Sequence, residues 1–229
     1  MNTFDNTLQA IHARINHAKT QVGRNDTVRL CAVSKAQDAN QIRLAYEAGQ
    51  KIFGENYLQE AISKQALLND CKIEWHFIGP IQSNKTQLIA QHFDWVQSVD
   101  RLKIAQRLSV ARPDNLEPLN ICLQFNSSNE DTKSGAQLND LIELAQAVQS
   151  LPNIKLRGIM AIPAPTKDYN SQRAQFKIVK EAYDTLLKYN SALDTLSIGM
   201  SDDFEAAIAE GATIVRIGSA IFGDRPTKN

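Results

Sequence analysis

The first residue whose chemistry needs an explanation is Lys35, in the stretch VRLCAVSKAQDANQIRLAYEAG that begins at Val28. An apolar run typical of a β-strand ends at Ser34 and Lys35, and the polar start of a helix follows directly. A lysine at the end of a buried strand must be paired, hydrated or neutralised. Partial burial would lower its pKa and favour the free amine, which forms a Schiff base with an aldehyde or ketone. An ion-paired lysine, or one that extends into solvent, is the alternative.

A second group of candidate residues lies near the C-terminus, in VRIGSAIFG. Strand alternation places Arg216 on the same face as Gly218, and an interior guanidinium keeps its proton and needs an acceptor. Gly218 would let backbone N–H groups approach an anion, and the Ser219 hydroxyl adds a donor, so this pair predicts a phosphate site. Ser201 in GMSDDFEA is a further candidate donor, and helix capping by this segment is the alternative.

Eight strand-like runs alternate with segments of helical periodicity from Val28 onward. The runs are VRLCAVSK, KIFGEN, IEWHFIG, WVQSVD, LNICLQFN, KLRGIMAIP, LSIGMS and TIVRIGSAIFG. This alternation, with mostly apolar strands, predicts an α/β protein with a parallel sheet, and eight units close it into a (β/α)8 TIM-type barrel. An open doubly wound sheet is the alternative, but it usually carries a glycine-rich turn after its first strand, where this chain reads SKAQDAN.

A barrel also predicts where the chemistry lies, because the sites of this fold occupy the C-terminal ends of the strands. Lys35, Asn56, His76, Ser201 and the segment 216–219 all fall near such ends. Most residues at these ends are polar, whereas the strand interiors are apolar. The sequence therefore predicts one site, assembled from residues far apart in the chain.

The N-terminal residues 1–24 predict an amphipathic helix that packs on the barrel. Apolar side chains recur there at steps of three and four, at Phe4, Leu8, Ile11, Ile15, Ala18 and Val22. No linker rich in Pro, Gly or Ser interrupts the chain beyond them. Residues 1–229 are therefore expected to form a single barrel domain with this extra N-terminal helix.

Charge and composition limit the partners. The chain has 25 Lys and Arg residues against 25 Asp and Glu residues, so neither nucleic acid nor a membrane surface is an expected partner, and a small molecule is favoured. The N-terminus lacks the apolar region of a signal peptide, and no window is apolar enough to span a membrane. Three widely spaced cysteines without a CxxC motif fit a reducing compartment, so the expected location is cytoplasmic and no metal site is expected.

An amine, a phosphate site and an interior arginine together match one cofactor. Pyridoxal 5'-phosphate (PLP) carries an aldehyde, a phosphate and a ring nitrogen. An arginine facing that nitrogen disfavours its protonation and weakens the ring as an electron sink, which suits a carrier or a racemase better than an aminotransferase. A Lys35-dependent aldolase, with a phosphorylated sugar in the phosphate site, is a further alternative.

The chain also resembles the pyridoxal phosphate homeostasis protein family, whose fold is similar to the N-terminal barrel of alanine racemase. The matching stretches span nearly the whole chain: AVSK, FGENYLQE, EWHFIGPIQSNK, QSVD, NEDTKSG, LRGIMAIP and LSIGMSDDFEAAIAEGATIVRIGSAIFG. The resemblance implies that PLP is the cofactor, held as a covalent aldimine at Lys35, with Arg216 at the ring nitrogen. It also implies phosphate contacts from Ser201, Gly218 and Ser219.

Three further motif residues receive less definite roles from the same resemblance. Asn56, in FGEN, is expected near the cofactor, and His76 is expected to line the pocket. Lys85, in QSNK, is expected either to make a partner contact or a second contact with the cofactor, or to lie solvated on a helix.

Whether such a protein is an enzyme depends on a second base. Racemisation by two bases requires one on each face of the substrate, and Lys35 supplies one face only. In alanine racemase the opposite base is a tyrosine from a separate C-terminal domain, and no sequence is left for such a domain after Asn229. Tyr169, expected in a loop after the sixth strand, is a candidate base, with packing on the rim as the alternative.

The preferred hypothesis is therefore a non-catalytic PLP carrier that acts in intracellular PLP homeostasis. It would hold the cofactor as a Schiff base and deliver it to apo-enzymes through transient contacts. The alternative is an amino-acid racemase or related PLP enzyme that uses Lys35 as a base. A monomer is expected, because the racemase dimer uses the domain that this chain lacks.

Overall fold

The computed structural model describes residues 3–127 and 134–223. Its eight parallel strands follow one another in chain order and close into a barrel, since β1 pairs with both β2 and β8. The strands are β1 (Arg29–Val33), β2 (Ile52–Glu55), β3 (Glu74–Phe77), β4 (Trp95–Val99), β5 (Leu119–Phe125), β6 (Ile154–Ala161), β7 (Thr195–Ser197) and β8 (Ile214–Ile217). The predicted TIM-type barrel is therefore confirmed, and the open doubly wound sheet is not formed.

Helices cover the outside of the barrel, with at least one after each strand. They are α1 (Thr3–Gln21), α2 (Ala39–Glu47), α3 (Leu58–Leu67), α4 (Thr86–His92), α5 (Leu102–Ala111), α6 (Leu138–Gln149), α7 (Tyr169–Tyr189), α8 (Phe204–Ala209) and α9 (Ser219–Phe222), together with a 3-10 helix at Ser83–Lys85. Two of them begin at aspartate caps: Asp38 accepts the N–H of Gln41, and Asp168 accepts the N–H of Ser171. No helix in the described part of the chain is long and apolar enough to cross a membrane.

The first helix packs on the barrel with its apolar stripe. Phe4, Leu8, Ile11, Ile15 and Ala18 are buried. The Phe4 ring meets that of Phe222 in α9 at a centroid distance of 5.7 Å, which ties the two ends of the described chain together. The helix ends at Gln21, so Val22, the last residue of the predicted stripe, is 38% exposed.

The C-terminal run TIVRIGSAIFG does not continue as one strand. Strand β8 ends at Ile217, and the short helix α9 begins at Ser219. Apolar residues of TIVRIGSAIFG therefore serve two elements, and their pattern alone does not distinguish a short buried strand from a buried helical turn.

Two of the three cysteines behave as small apolar residues. Cys31 and Cys122 are fully buried, and burial raises the pKa of each thiol to about 12. All three cysteines are free thiols. Most of the motif NEDTKSG, and the tail after Gly223, lie outside the residues that the structure describes.

Candidate functional site

A cavity of about 540 Å³ opens at the C-terminal ends of the strands, where the barrel fold predicts the site. It brings together six of the seven residues that the sequence indicated: Lys35, Asn56, Ser201, Arg216, Gly218 and Ser219. The other described residues of its wall are Val33, Gln37, Ile78, Ile162, Met200, Asp202, Phe222 and Gly223. The volume lies within the range typical of small-molecule sites.

Lys35 follows the end of β1, and its neighbours on both sides are held in place. Ala36 has φ 63, a left-handed conformation that costs an alanine about 1 kcal/mol or more. The N–H of Ala36 donates to Glu60 Oε1 at 2.6 Å, and the carbonyl of Ser34 accepts from Lys64 Nζ at 2.8 Å. The sharp turn that presents Lys35 at the cavity is thus fastened to α3.

The two α3 side chains belong to a buried charge cluster beside the site. Lys64 Nζ lies 2.8 Å from Glu55 Oε1 and 2.5 Å from Glu60 Oε1, and the Lys64 and Glu55 side chains are 6% and 0% exposed. Ser34 Oγ also donates to Glu55 Oε1 at 2.6 Å. Burial raises the pKa of Glu55, while Lys64 and Ser34 oppose that rise. The sequence placed Glu55 at a strand end but gave no sign of this cluster.

Asn56 takes part in the cavity wall at the end of β2. Its backbone packs closely against Gly79: a side chain at Gly79 would place its Cβ 2.2 Å from the Asn56 carbonyl oxygen. The Asn56 Oδ1 atom is buried and has no hydrogen-bond partner among the described residues. A buried acceptor without a partner is costly, so this oxygen is suited to accept a hydrogen bond from a bound molecule.

Arg216 reaches the cavity from the interior face of β8 and is only 4% exposed. Its Nη1 donates to the Ser197 carbonyl at 2.7 Å and to Ser197 Oγ at 2.8 Å, and its Nη2 donates to the Ala161 carbonyl at 3.1 Å. Burial lowers the pKa of Arg216, yet a guanidinium stays protonated in proteins. Because these three acceptors are neutral oxygens, a positive charge remains at the floor of the cavity.

The segment after β8 packs tightly against β1. A Cβ at Gly218 would lie 3.2 Å from the Val33 carbonyl oxygen and 3.4 Å from the Val33 Cβ, so glycine lets the two strand ends approach. Ser201 Oγ, from the loop after β7, accepts the N–H of Ala220 at 3.4 Å. Ser201, Gly218 and Ser219 therefore surround one corner of the cavity.

The two aspartates after Ser201 take different positions. Asp202 lies in the cavity wall. Asp203 Oδ1 accepts the N–H of Met200 at 2.6 Å, which closes the turn before α8, and its carboxylate makes no capping hydrogen bond to α8. Burial raises the pKa of Asp203. The Asp203 side chain therefore closes a turn and does not cap the helix, which was the alternative raised for this segment.

His76 does not line the cavity, contrary to the expectation. It pairs in register with Gly54, two residues before Asn56, and so lies deeper in the barrel. Its side chain is 0% exposed, contacts Glu74 and Gln97 at 2.6 Å each, and stacks on Trp95 with a centroid distance of 5.1 Å. The sequence placed it near a strand end but could not show its depth.

Tyr169 also differs from its expected setting, whereas Lys85 lies on a helix, as one of its two expectations has it. Tyr169 is the first residue of α7 and not part of a loop, it is 47% exposed, and it is not among the described residues of the cavity wall. Lys85 ends the 3-10 helix and is likewise outside that wall.

The sequence assigned no role to the apolar part of the wall, although Met200 was among the residues read at the strand ends. Ile78, Ile162 and Met200 each follow a strand end, so strand-end position was the available signal. Gln37 and Phe222 had no such signal, because a loop and the short helix α9 supply them. Among the described residues, no group of His, Cys, Asp and Glu side chains could hold a metal ion.

Sequence comparison identifies the class of barrel. The family model for the alanine racemase N-terminal domain matches residues 7–226, so the cavity belongs to a barrel of that class. The pyridoxal phosphate homeostasis protein of Pseudomonas aeruginosa is 58% identical over 226 residues, which cover 98% of this chain and 97% of that protein. The chain belongs to the pyridoxal phosphate homeostasis protein family.

Solved structures agree with this assignment. PipY of Synechococcus elongatus, with PLP bound, has a TM-score of 0.85 at 34% identity, covering 96% of this chain and 100% of that one. An alanine racemase of Clostridium difficile has a TM-score of 0.73 at 18% identity and covers 96% of this chain and 58% of that one. This second likeness concerns the fold alone.

Proposed function

We propose that this protein binds PLP through Lys35 and acts as a non-catalytic carrier in intracellular PLP homeostasis. The observation that carries the proposal is the convergence of Lys35, Arg216 and the Gly218–Ser219 corner on one cavity. They reach it from opposite ends of the chain, and their chemistries match three separate parts of one molecule.

The residues present fit the cofactor. Lys35 is the amine in the described wall, and it would hold the cofactor through the cofactor's aldehyde group, with release of one water. Arg216 would face the ring nitrogen and donate to it, which keeps that nitrogen unprotonated. Ser201, Gly218 and Ser219 would hold the phosphate, and Asn56 Oδ1 would accept a hydrogen bond from the cofactor. The named relatives support PLP as the bound molecule.

The surroundings of the amine support a carrier role. Two-base chemistry needs a proton-exchanging group on each face of a substrate. The described wall contains no tyrosine or histidine, its arginine keeps its proton, and its one carboxylate, Asp202, directly follows Ser201 at the corner proposed for the phosphate. We therefore propose that bound PLP is stored and released rather than used in turnover, and that the protein delivers it to apo-enzymes by transient contact.

We further propose that the protein works as a monomer in a reducing compartment, the cytoplasm. One chain supplies a partner for each part of PLP, through Lys35, Arg216 and the Gly218–Ser219 corner, which fits a monomer. The three cysteines are free thiols, which fits a reducing environment.

The binding experiment is a titration of the purified protein with PLP, followed by removal of free cofactor and measurement of visible absorbance. We expect a yellow complex with the wild type and with Lys103→Ala, a control at an exposed lysine on α5. Lys35→Ala should lose the band. A colourless wild type after incubation would overturn the proposal.

Delivery is tested with an apo-aminotransferase in the presence of an aldehyde trap that consumes free PLP. The loaded carrier should reactivate the apo-enzyme, while the same amount of free PLP should be trapped. Equal trapping of both would contradict direct handover. Catalysis is tested by proton exchange of amino acids in deuterated water: we expect none, and exchange that disappears in Lys35→Ala would show an enzyme instead.

A further inference from the structure

Arg216 is one end of a chain of hydrogen-bonded side chains that crosses the barrel interior. Arg216 Nη1 donates to Ser197 Oγ at 2.8 Å, and Ser197 Oγ donates to Gln97 Oε1 at 2.6 Å. Gln97 Nε2 contacts His76 Nδ1 at 2.6 Å, and His76 Nε2 contacts Glu74 Oε1 at 2.6 Å. Ser197 and Gln97 lie on β7 and β4, which are not neighbours, so their hydrogen bond must span the interior.

The two ends of this chain determine the direction of every hydrogen bond in it. Arg216 can only donate, and an ionised Glu74 can only accept. Burial opposes ionisation of Glu74, but its hydrogen bond from His76 and the positive charge of Arg29 lower its pKa. Arg29 of β1 also forms an ion pair with Glu74. Each group between the ends therefore accepts from the Arg216 side and donates toward Glu74.

This direction requires a neutral His76 with its proton on Nε2. A charged His76 would donate from Nδ1 and force the Gln97 amide to turn over. Ser197 Oγ would then receive donors from both Arg216 and Gln97, and its own proton would lose its acceptor. Burial lowers the pKa of His76, although Glu74 opposes the shift, and stacking on Trp95 fixes the plane of the ring.

We propose that His76 and Gln97 are positioning residues, which act through Ser197 to fix the guanidinium of Arg216 toward the cavity. Neither residue is among the described residues of the cavity wall, and both are 0% exposed. His76 thus orients Arg216 from a position deeper in the barrel than the cavity. The inference rests on the proposed function, because its consequence for binding assumes that Arg216 contacts PLP.

The direction of these hydrogen bonds can be tested without cofactor. The sequence has four histidines, so the nitrogen-15 imidazole signals of the unloaded protein can be assigned by single substitutions. We expect His76 to be neutral at neutral pH and protonated on Nε2. A charged ring, or a proton on Nδ1, would overturn the inference whether or not PLP binds.

The effect on the site is tested with two buried serines. Ser197→Ala removes the link to Arg216, whereas Ser109→Ala removes a buried hydroxyl on α5 that donates to the Pro152 carbonyl. Loss of a hydrogen bond to a charged group should weaken PLP binding about tenfold in Ser197→Ala and shift the visible band. Ser109→Ala should keep the wild-type affinity and spectrum. Wild-type behaviour of Ser197→Ala, or equal losses in both variants, would contradict the inference.

His76 itself is tested with two replacements of similar size. His76→Asn keeps an oxygen near the position of Nδ1 that can accept from Gln97, and His76→Leu does not. We expect His76→Asn to bind PLP more tightly than His76→Leu, and equal affinities would contradict a positioning role. If the wild type binds no PLP at all, the proposed function fails. The imidazole spectrum then tests by itself whether the hydrogen bonds from Arg216 to Glu74 run in the proposed direction.

Discussion

Glu60 accepts the backbone N–H of Ala36, the residue directly after Lys35, at 2.6 Å. The contact holds Ala36 in a left-handed conformation that alanine seldom adopts. Helix α3 therefore sets the direction in which the chain leaves β1, and with it the position of the lysine at the cavity.

Replacing Glu60 should loosen this turn. Glu60→Ala leaves the Ala36 N–H and the Lys64 ammonium each without one partner, so we expect a loss of about 1–3 kcal/mol in the free energy of unfolding. PLP binding should weaken as well, measured by absorbance titration beside urea denaturation. Ala36→Gly is the matched control: it relieves the left-handed strain but adds freedom to the unfolded chain, so stability should change by less than about 1 kcal/mol. A large loss in Ala36→Gly would argue against strain at this turn.

Removing the buried Lys64 ammonium should lower the free energy of unfolding by more than Glu60→Ala does. Lys64→Met leaves Glu55 buried without its cation, and breaking a buried pair in this way typically costs about 3–5 kcal/mol. The double variant Lys64→Met with Glu55→Gln should recover most of the loss, because it removes the uncompensated charge. Urea denaturation of the three proteins at neutral pH measures this, and a double variant no more stable than Lys64→Met would contradict it.

The same variant should show a characteristic pH dependence. A carboxyl whose pKa is raised by folding binds its proton more readily in the folded state, so its unfavourable contribution fades as the pH falls through the folded pKa. The stability difference between wild type and Lys64→Met should therefore be smaller at about pH 5 than at about pH 8. A difference that grows on acidification would mean that Glu55 is not the group responsible.

His76 should give a pH dependence of stability with the opposite sign. Its pKa is lowered in the folded state by burial, so the unfolded chain binds the extra proton and stability falls as the pH drops below about 6.5. His76→Asn has no such group, and its stability should fall less than that of the wild type between about pH 7 and about pH 5. Glu74 is present in both proteins and is controlled by Glu74→Gln in each background. Parallel pH curves for wild type and His76→Asn would contradict a buried neutral imidazole.

A side chain at position 218 should disturb the phosphate corner. Gly218→Ala places a Cβ 3.2 Å from the Val33 carbonyl oxygen, close enough to push the β8 end away from β1. We expect weaker PLP binding, with a stability loss of about 1–3 kcal/mol. Gly23→Ala, at a turn with open space around it, is a stability control in which only the positive φ is strained. Normal PLP affinity in Gly218→Ala would place the phosphate elsewhere.

Much of the fold could be predicted because its signals are local. The alternation of apolar strands with helical periodicity gave eight units and hence a closed barrel, and the stripe at Phe4, Leu8 and Ile11 gave the first helix. Helix boundaries were less accessible, as at Tyr169, because a residue directly after a cap and one in a loop have similar sequence surroundings.

The sequence by itself determined the chemical inventory at the strand ends, including Lys35, Arg216 and the Gly218–Ser219 pair, because strand-end position and residue type can both be read along the chain. Only the tertiary structure decided how deep each of these side chains lies in the barrel. Register in the closed barrel sets His76 level with Gly54 and so below the cavity, while Asn56, two residues after Gly54 and just past the end of β2, lies in its wall. Register depends on pairing between separate strands. The Lys64–Glu55 contact depends instead on how α3 packs back against the end of β2, which a helical or strand pattern does not encode.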